Sequence, residues 1–231
     1  MTTATRTVPG MGLWRLPGVY HPQGDTVLLG RALRAEDLRP GADVLDIGTG
    51  SGALAVLAAR MGARVTATDV SWRAVLTTKA NAVRHGQRIR VRHTDLAARL
   101  GSRDGFDLVV TNPPYVPAPA GRPPARGASR AWDAGHDGRL VVDRVLAHAP
   151  RLLRPGGVLL MVHSGMCGAE TTVRKLAGTG MSAEVAERAL VPYGPVLTGR
   201  LAWLQARGLA SQQGGGAQPI EELVVIRAER R

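Results

Sequence analysis

Val44-Leu45-Asp46-Ile47-Gly48-Thr49-Gly50-Ser51-Gly52 decides the fold. Its first four residues form a short apolar run broken by one acid and read as a buried strand. Three glycines follow at alternate positions, where the backbone must turn sharply and approach a ligand with no Cβ in the way. The small and apolar residues from Ser51 to Met61 then have the length and composition of a helix. Strand, glycine turn and helix in this order open a doubly wound sheet, whose ligands lie at the carboxyl ends of the strands beside such a turn. The glycine pattern alone does not fix the ligand, because dinucleotide oxidoreductases use the same logic.

The same alternation continues on either side. Strands are expected at Val44–Ile47, Val65–Asp69, Ile89–His93, Leu108–Thr111 and Val158–Val162, and helices at Ser51–Met61, Arg73–His85 and Arg139–Leu153. Strands separated by helices pair in parallel through right-handed crossovers. Upstream, residues 1–18 read as an irregular arm, and residues 19–231 as a single domain. Asp25–Ala35 reads as a helix with Asp25 as its N-cap. Downstream, Ala169–Ala177 reads as a helix. Ala183–Val191 and Glu222–Arg227 read as a returning pair of strands, with Gly214-Gly215-Gly216 in a loop between them.

Composition narrows the function. The chain has 231 residues, 44% hydrophobic but only 3% aromatic, so its core rests on Val, Leu, Ile and Ala. A single cysteine, Cys167, excludes an internal disulfide and reads as a packing residue. The six histidines show no metal-ligand spacing, so no metal is expected. No apolar leader follows Met1, and no stretch approaches the ~20 apolar residues of a membrane span. A cytoplasmic enzyme is therefore expected. The net charge of +12 favours encounters with polyanions such as RNA or ribosomes, or else belongs to a solvated basic surface. The arginines are spread along the chain and spell out no nucleic-acid motif, although Arg122, Arg126 and Arg130 share one Pro-rich loop.

Three sites carry the chemistry. The glycine turn is the first. Asp69 ends the second strand 17 residues after Gly52, about where an acid meets ribose hydroxyls. Its alternative role is to cap the helix after Ser71. Asp95, ending the third strand, is a candidate for an exocyclic adenine amine or a second helix cap. The third site is Asn112-Pro113-Pro114-Tyr115, directly after the strand Leu108–Thr111. Two prolines remove two backbone donors and stop the strand. The Asn112 side-chain oxygen and the Pro113 carbonyl can then hold both hydrogens of a planar –NH2 group. That aims the nitrogen lone pair along the third direction, and Tyr115 offers a flat face for stacking. Such a site needs an electrophile with a good leaving group, and positioning supplies much of the catalysis.

Together, Asp46-Ile47-Gly48-Thr49-Gly50-Ser51-Gly52 and Asn112-Pro113-Pro114-Tyr115 resemble the HemK-type protein glutamine methyltransferases. The stretch Tyr20-His21-Pro22-Gln23-Gly24-Asp25-Thr26 resembles the short branch of that family, which lacks the N-terminal helical domain of longer members. The likeness continues through Gly135-His136-Asp137-Gly138 and Arg154-Pro155-Gly156-Gly157 and spans roughly Tyr20 to Arg227. It implies a class I, Rossmann-like, doubly wound α/β sheet of seven strands, mostly parallel with an antiparallel edge strand. It implies S-adenosyl-L-methionine as cofactor and S-adenosyl-L-homocysteine as product. The implied donor site comprises Asp46, Gly48, Thr49, Gly50, Gly52, Asp69, Val70, Asp95 and Leu96, with Thr26 and Asn112 at its edge. Asn112, Pro113 and Tyr115 would be the catalytic residues. The family's known substrate is the Gly-Gly-Gln glutamine of translation release factors, and short relatives work with a small activator protein. Adenine and guanine N-methyltransferases share Asn-Pro-Pro-Tyr, so an RNA or small-molecule acceptor stays open. A donor-binding scaffold would tolerate loss of Asn112, and an oxidoreductase has no use for it.

Overall fold

The computed structural model describes residues 11–95, 105–122, 124, 127–210 and 218–231. Its helices are α1 (Gly24–Ala35), α2 (Ala53–Arg60), α3 (Trp72–Arg84), α4 (Leu140–Leu152), α5 (Ala169–Ala177), α6 (Pro195–Gly199) and α7 (Leu201–Ala206). Its strands are β1 (Asp43–Ile47), β2 (Arg64–Asp69), β3 (Ile89–His93), β4 (Phe106–Thr111), β5 (Leu153–Ser164), β6 (Met181–Pro192) and β7 (Ile220–Arg230). They form one seven-stranded sheet in the order β3-β2-β1-β4-β5-β7-β6. β1 to β5 are parallel, and β7 runs antiparallel to both of its neighbours.

The layering follows from burial. Val44, Leu45, Asp46 and Ile47 are all buried, so β1 needs cover on both faces. Helices α1, α2 and α3 contact one another as one layer, and α4 and α5 form another. The helix α2, Ala-Leu-Ala-Val-Leu-Ala-Ala-Arg, is buried through its first six residues and sits over β1 and β2.

Sheet order positions the site. The chain winds outward in opposite directions from β1 and β4, which are neighbours. Ile47 and Thr111 are register partners, and Thr111 Oγ1 donates to the Ile47 carbonyl at 2.9 Å. Gly48 and Asn112 therefore leave the sheet side by side at its topological switch point, where open α/β sheets bind ligands.

Several expectations change in detail. Asp25 is not the cap of α1. Gln23 occupies that position without a side-chain hydrogen bond, and Asp25 lies in the first turn with its carboxylate turned inward. Asp69 does not cap α3 either; Ser71 does, its Oγ accepting from the Ala74 amide at 3.4 Å. The antiparallel edge is as expected: β7 pairs antiparallel with both β5 and the outermost strand β6. Strand β5 starts at Leu153 rather than Val158, because Leu153 already pairs with Phe106 across a bulge. Helices α6 and α7 were not expected. The arm bonds to α3: the Trp14 amide donates to Asn81 Oδ1, and Asn81 Nδ2 donates back to the Trp14 carbonyl, each at 2.8 Å. Leu96, Arg126 and Gly214–Gly216 lie outside the described residues.

The glycine turn yields a stability test. Gly48, Gly50 and Gly52 all have positive φ, at 69°, 55° and 83°. A Cβ on Gly52 would sit 2.9 Å from Thr78 Cγ2, whereas one on Gly48 meets nothing within 4 Å. Gly52→Ala should lower unfolding free energy by about 2–5 kcal/mol, backbone strain plus overlap. Gly48→Ala should cost only the strain, about 1–2 kcal/mol. Urea unfolding of both variants measures the difference, and equal losses would refute the close packing of the turn on α3.

Candidate active site

The carboxyl ends of β1 and β2 build one side of the site. The Gly48 and Thr49 amides donate to the Thr68 carbonyl at 2.9 and 3.0 Å, which ties the turn to β2. Thr49 Oγ1 donates to Asp46 Oδ2 at 2.6 Å. Burial pushes the Asp46 carboxyl up to about 7, and repulsion from Asp69 adds to the rise. Asp69 accepts the Gly50 amide at 3.0 Å on one oxygen and the Ser71 amide at 2.8 Å on the other. Burial raises its carboxyl too, while those amides and the Arg130 charge act in the opposite direction. Open space above Gly48, the buried Asp46 and the half-buried Asp69 make a cradle that suits a positively charged ligand carrying a ribose.

The other candidates on this side are close in the chain but differ in setting. The Thr94 amide donates to the Asp69 carbonyl at 3.0 Å, which brings β3's end against β2. His93 Nε2 lies 2.9 Å from the Val70 carbonyl. Asp95 is exposed and pairs with Arg144 Nη2 of α4 at 3.1 Å. It does not cap a described helix.

The other side is organised by Asp25, which is 3% exposed. Its Oδ2 accepts Tyr20 Oη at 2.7 Å, Asn112 Nδ2 at 2.9 Å and Tyr115 Oη at 3.1 Å. Its Oδ1 accepts the Thr26 amide and hydroxyl. A carboxylate only accepts, so it holds the –NH2 end of Asn112 and turns Oδ1 away. No described residue donates to Asn112 Oδ1 or to the Pro113 carbonyl. Those are the two oxygens that the sequence offers as acceptors for a planar –NH2 group. Tyr115 differs from expectation: its ring is 9% exposed and its hydroxyl is engaged, so it braces Asp25 and presents no open stacking face. Burial and the nearby Asp25 hold both phenols well above the usual tyrosine range.

A strut fixes this turn from behind. Val116 bridges to Asp133, through bonds from the Val116 amide to the Trp132 carbonyl and from the Ala134 amide to the Val116 carbonyl. Gly138 must be glycine, because its Cβ would lie 2.2 Å from the Tyr115 carbonyl oxygen. Cys167 Sγ lies 3.3 Å from the same oxygen, and burial pushes its thiol up to about 12. It is an inert packing group, as the sequence suggested. Arg200, between α6 and α7, pairs with Asp133 at 2.7 Å and donates to the Pro117 carbonyl at 2.9 Å.

The sequence reading missed Arg200, Asp133 and Glu221. Glu221 starts β7, is buried, and has an Oε1 with no partner among the described residues. Burial raises its carboxyl to about 7, opposed by a hydrogen bond with Ser164, and repulsion from Asp25 adds to the rise.

Comparison with known proteins then fixes the family. The Methyltransferase small domain matches residues 11–122. A putative protein N5-glutamine methyltransferase of Methanocaldococcus jannaschii is 32% identical over 80% of this chain and 92% of its own length. The chain belongs to the HemK-type class I methyltransferases. It is thus an S-adenosylmethionine-dependent enzyme. The release factor glutamine methyltransferase of Bordetella pertussis is 40% identical over 66% of this chain, but only 60% of that longer protein is spanned. The E. cuniculi Mtq2 structure, solved as a complex with Trm112 responsible for methylation of the eRF1 termination factor, shares the fold. Its TM-score is 0.64 at 22% identity, covering 93% of this chain and 99% of that one.

Two predictions follow from the acids of this HemK-type site. Asp25→Asn keeps the shape but removes the charge that orients Asn112, so turnover should fall about ten- to hundredfold in a folded variant. Steady-state rates with a thermal melt as control measure it, and full activity would remove Asp25 from the site. Asp46 and Glu221 have folded-state pKa values raised to about 7, so the folded protein binds more protons than the unfolded chain. Stability should therefore decline as pH rises from about 4, the unfolded value, through about 7, the folded one. Glu221→Gln should flatten part of that decline in denaturant titrations, and an unchanged slope would mean that Glu221 is solvated.

Proposed function

We propose that this chain methylates the side-chain amide nitrogen of a glutamine in a protein, with the glutamine of a release-factor Gly-Gly-Gln segment as acceptor. The supporting observation is the orientation of Asn112: Asp25 holds its Nδ2 and leaves Oδ1 beside the Pro113 carbonyl. Two fixed acceptors on a proline-stiffened turn suit the two hydrogens of a primary amide. The donor would lie across the Gly48 turn and Asp69, with Thr26 and Asn112 on the acceptor side. S-adenosylmethionine supplies an electrophilic methyl carried by a sulfonium.

Asn112 and Pro113 bind the acceptor –NH2 and orient its lone pair, so no strong base is needed before attack. Asp25, Tyr20 and Tyr115 hold Asn112 in that orientation. Fixing the reacting nitrogen in line replaces entropy that a free encounter would lose. The names of relatives support the glutamine reading, since they include release factor and ribosomal protein glutamine methyltransferases. A small activator protein is a candidate partner, in keeping with the complex formed by Mtq2. We place the enzyme in the cytoplasm, where translation factors reside; no described helix is long and apolar enough to cross a membrane.

Incubation with a Gly-Gly-Gln domain should add one methyl to the glutamine by mass spectrometry, and none to its Gln→Ala variant. Asn112→Ala should reduce turnover by about two or more orders of magnitude while keeping the fold. Methylation of RNA but never of that domain would reject the protein acceptor and retain the chemistry. Full activity of Asn112→Ala on a verified substrate would reject the mechanism.

A further inference from the structure

The basic residues that look scattered in the sequence are gathered by the fold. Between Asp69 and Asp95 the chain has Arg73, Lys79, Arg84, Arg88, Arg90 and Arg92 and no Asp or Glu. These 25 residues carry a charge of +6, half of the +12 of the whole chain. They include α3 and β3, and β3 is one of the two edges of the sheet.

Arg88, Arg90 and Arg92 alternate along that edge and are exposed, so they project to one side at intervals of about 6.6 Å. Beside them lies an open groove of about 1020 Å³ between the ends of α2 and α3 and the starts of β2 and β3. Lys79, Arg64, Arg88 and Arg90 line it, and no carboxylate does. Arg64 is neutralised by Asp43 at 2.9 Å. Lys79, Arg88, Arg90 and Arg92 have no ion pair with any described residue. At the far end of α3, Trp72 is 56% exposed with the Arg73 guanidinium 5.7 Å from its ring centre.

We propose that the α3–β3 edge and its groove bind the phosphate backbone of RNA. Unpaired cations repel one another and gain most from a partner with dense, regularly spaced negative charge, and a phosphodiester chain presents one charge per nucleotide. The Arg88-Arg90-Arg92 row lets successive side chains address successive phosphates. Charged side chains along the β3 edge also disfavour a protein strand adding to the sheet there. The groove is at the strands' amino ends, away from Asn112 and Gly48, so the RNA docks the enzyme and is not its methyl acceptor. The inference does not rest on the identity of that acceptor.

Fluorescence anisotropy with a labelled RNA hairpin over a series of salt concentrations tests it. The triple variant Arg88→Ser, Arg90→Ser, Arg92→Ser should bind at least about tenfold more weakly. The slope of log affinity against log salt should become shallower by about two to three. The corresponding triple Lys variant should restore most of the affinity, and all variants should keep the thermal melt and S-adenosylmethionine affinity. Removing Arg34, Arg151 and Arg174, none of which lines the groove, should leave the larger part of the affinity. Unchanged affinity and slope in the Ser variant, or an equal loss in the control set, would overturn the proposal. So would capture of an acidic protein on this edge with no RNA binding at physiological salt. RNA that binds here yet becomes methylated would refute the docking role and the protein acceptor together.

Discussion

The parallel register between β1 and β4 is the constraint from which the site follows. Ile47 faces Thr111, and the Thr111 hydroxyl closes on the Ile47 carbonyl. One step beyond that pair, one chain must turn through glycines and the other is stopped by two prolines. A slip of one residue would turn Asp46 and Val110 to opposite faces and separate the glycine turn from the asparagine. Catalytic geometry is thus inherited from backbone hydrogen bonding in the best buried part of the sheet, and the side chains refine it.

Charge is sorted radially. The buried acids Asp25, Asp46 and Glu221 lie at or near the carboxyl end of the sheet, while arginines dominate the outside. Burying carboxylates this close together costs stability unless donors or cations compensate. Asp25 is compensated by Tyr20, Asn112, Tyr115 and Thr26. Asp46 has Thr49 alone as its hydrogen-bonding side chain, and Glu221 keeps one oxygen unsatisfied. A cationic neighbour would relieve the under-compensated acids, so the cost of burying them and an affinity for such a ligand have one origin.

Much of this was legible in the sequence where local signals and tertiary structure agree. β3 and α5 fall at the expected residues, Ile89–His93 and Ala169–Ala177, since apolar period and end signals coincide there. The glycine turn and Asn112-Pro113-Pro114-Tyr115 were legible because glycine and proline limit the backbone wherever they occur. The start of β5 was hidden because Pro155-Gly156-Gly157 interrupts the apolar run, and pairing with Phe106 of β4 holds Leu153 in the sheet. Helices α6 and α7 are too short to show a period, and Arg200 ties them down through Asp133, 67 residues away in sequence. Tyr115 read as a stacking face because its target, Asp25, is 90 residues distant. Glu221 was lost for a similar reason: an acid at the start of an apolar strand resembles a solvated end until α1 covers it.

The last strand in the chain is not last in the sheet. β7 fits between β5 and β6, and β6 has no other strand partner. During synthesis β6 is therefore made before anything exists to pair with it, and about thirty residues later β7 must enter a gap with both sides already present. Until then two strand edges stand open, a state in which a chain can pair with a neighbour instead of itself. The polar alternation of β6, with Ser182, Glu184 and Arg188 exposed, and its bulge between Val185 and Glu187 make that waiting strand a poor template for aggregation. Strand β7 also carries the buried Glu221, whose carboxyl feels the charge of Asp25. Docking of β7 therefore completes both the sheet and the acidic surroundings of Asp25.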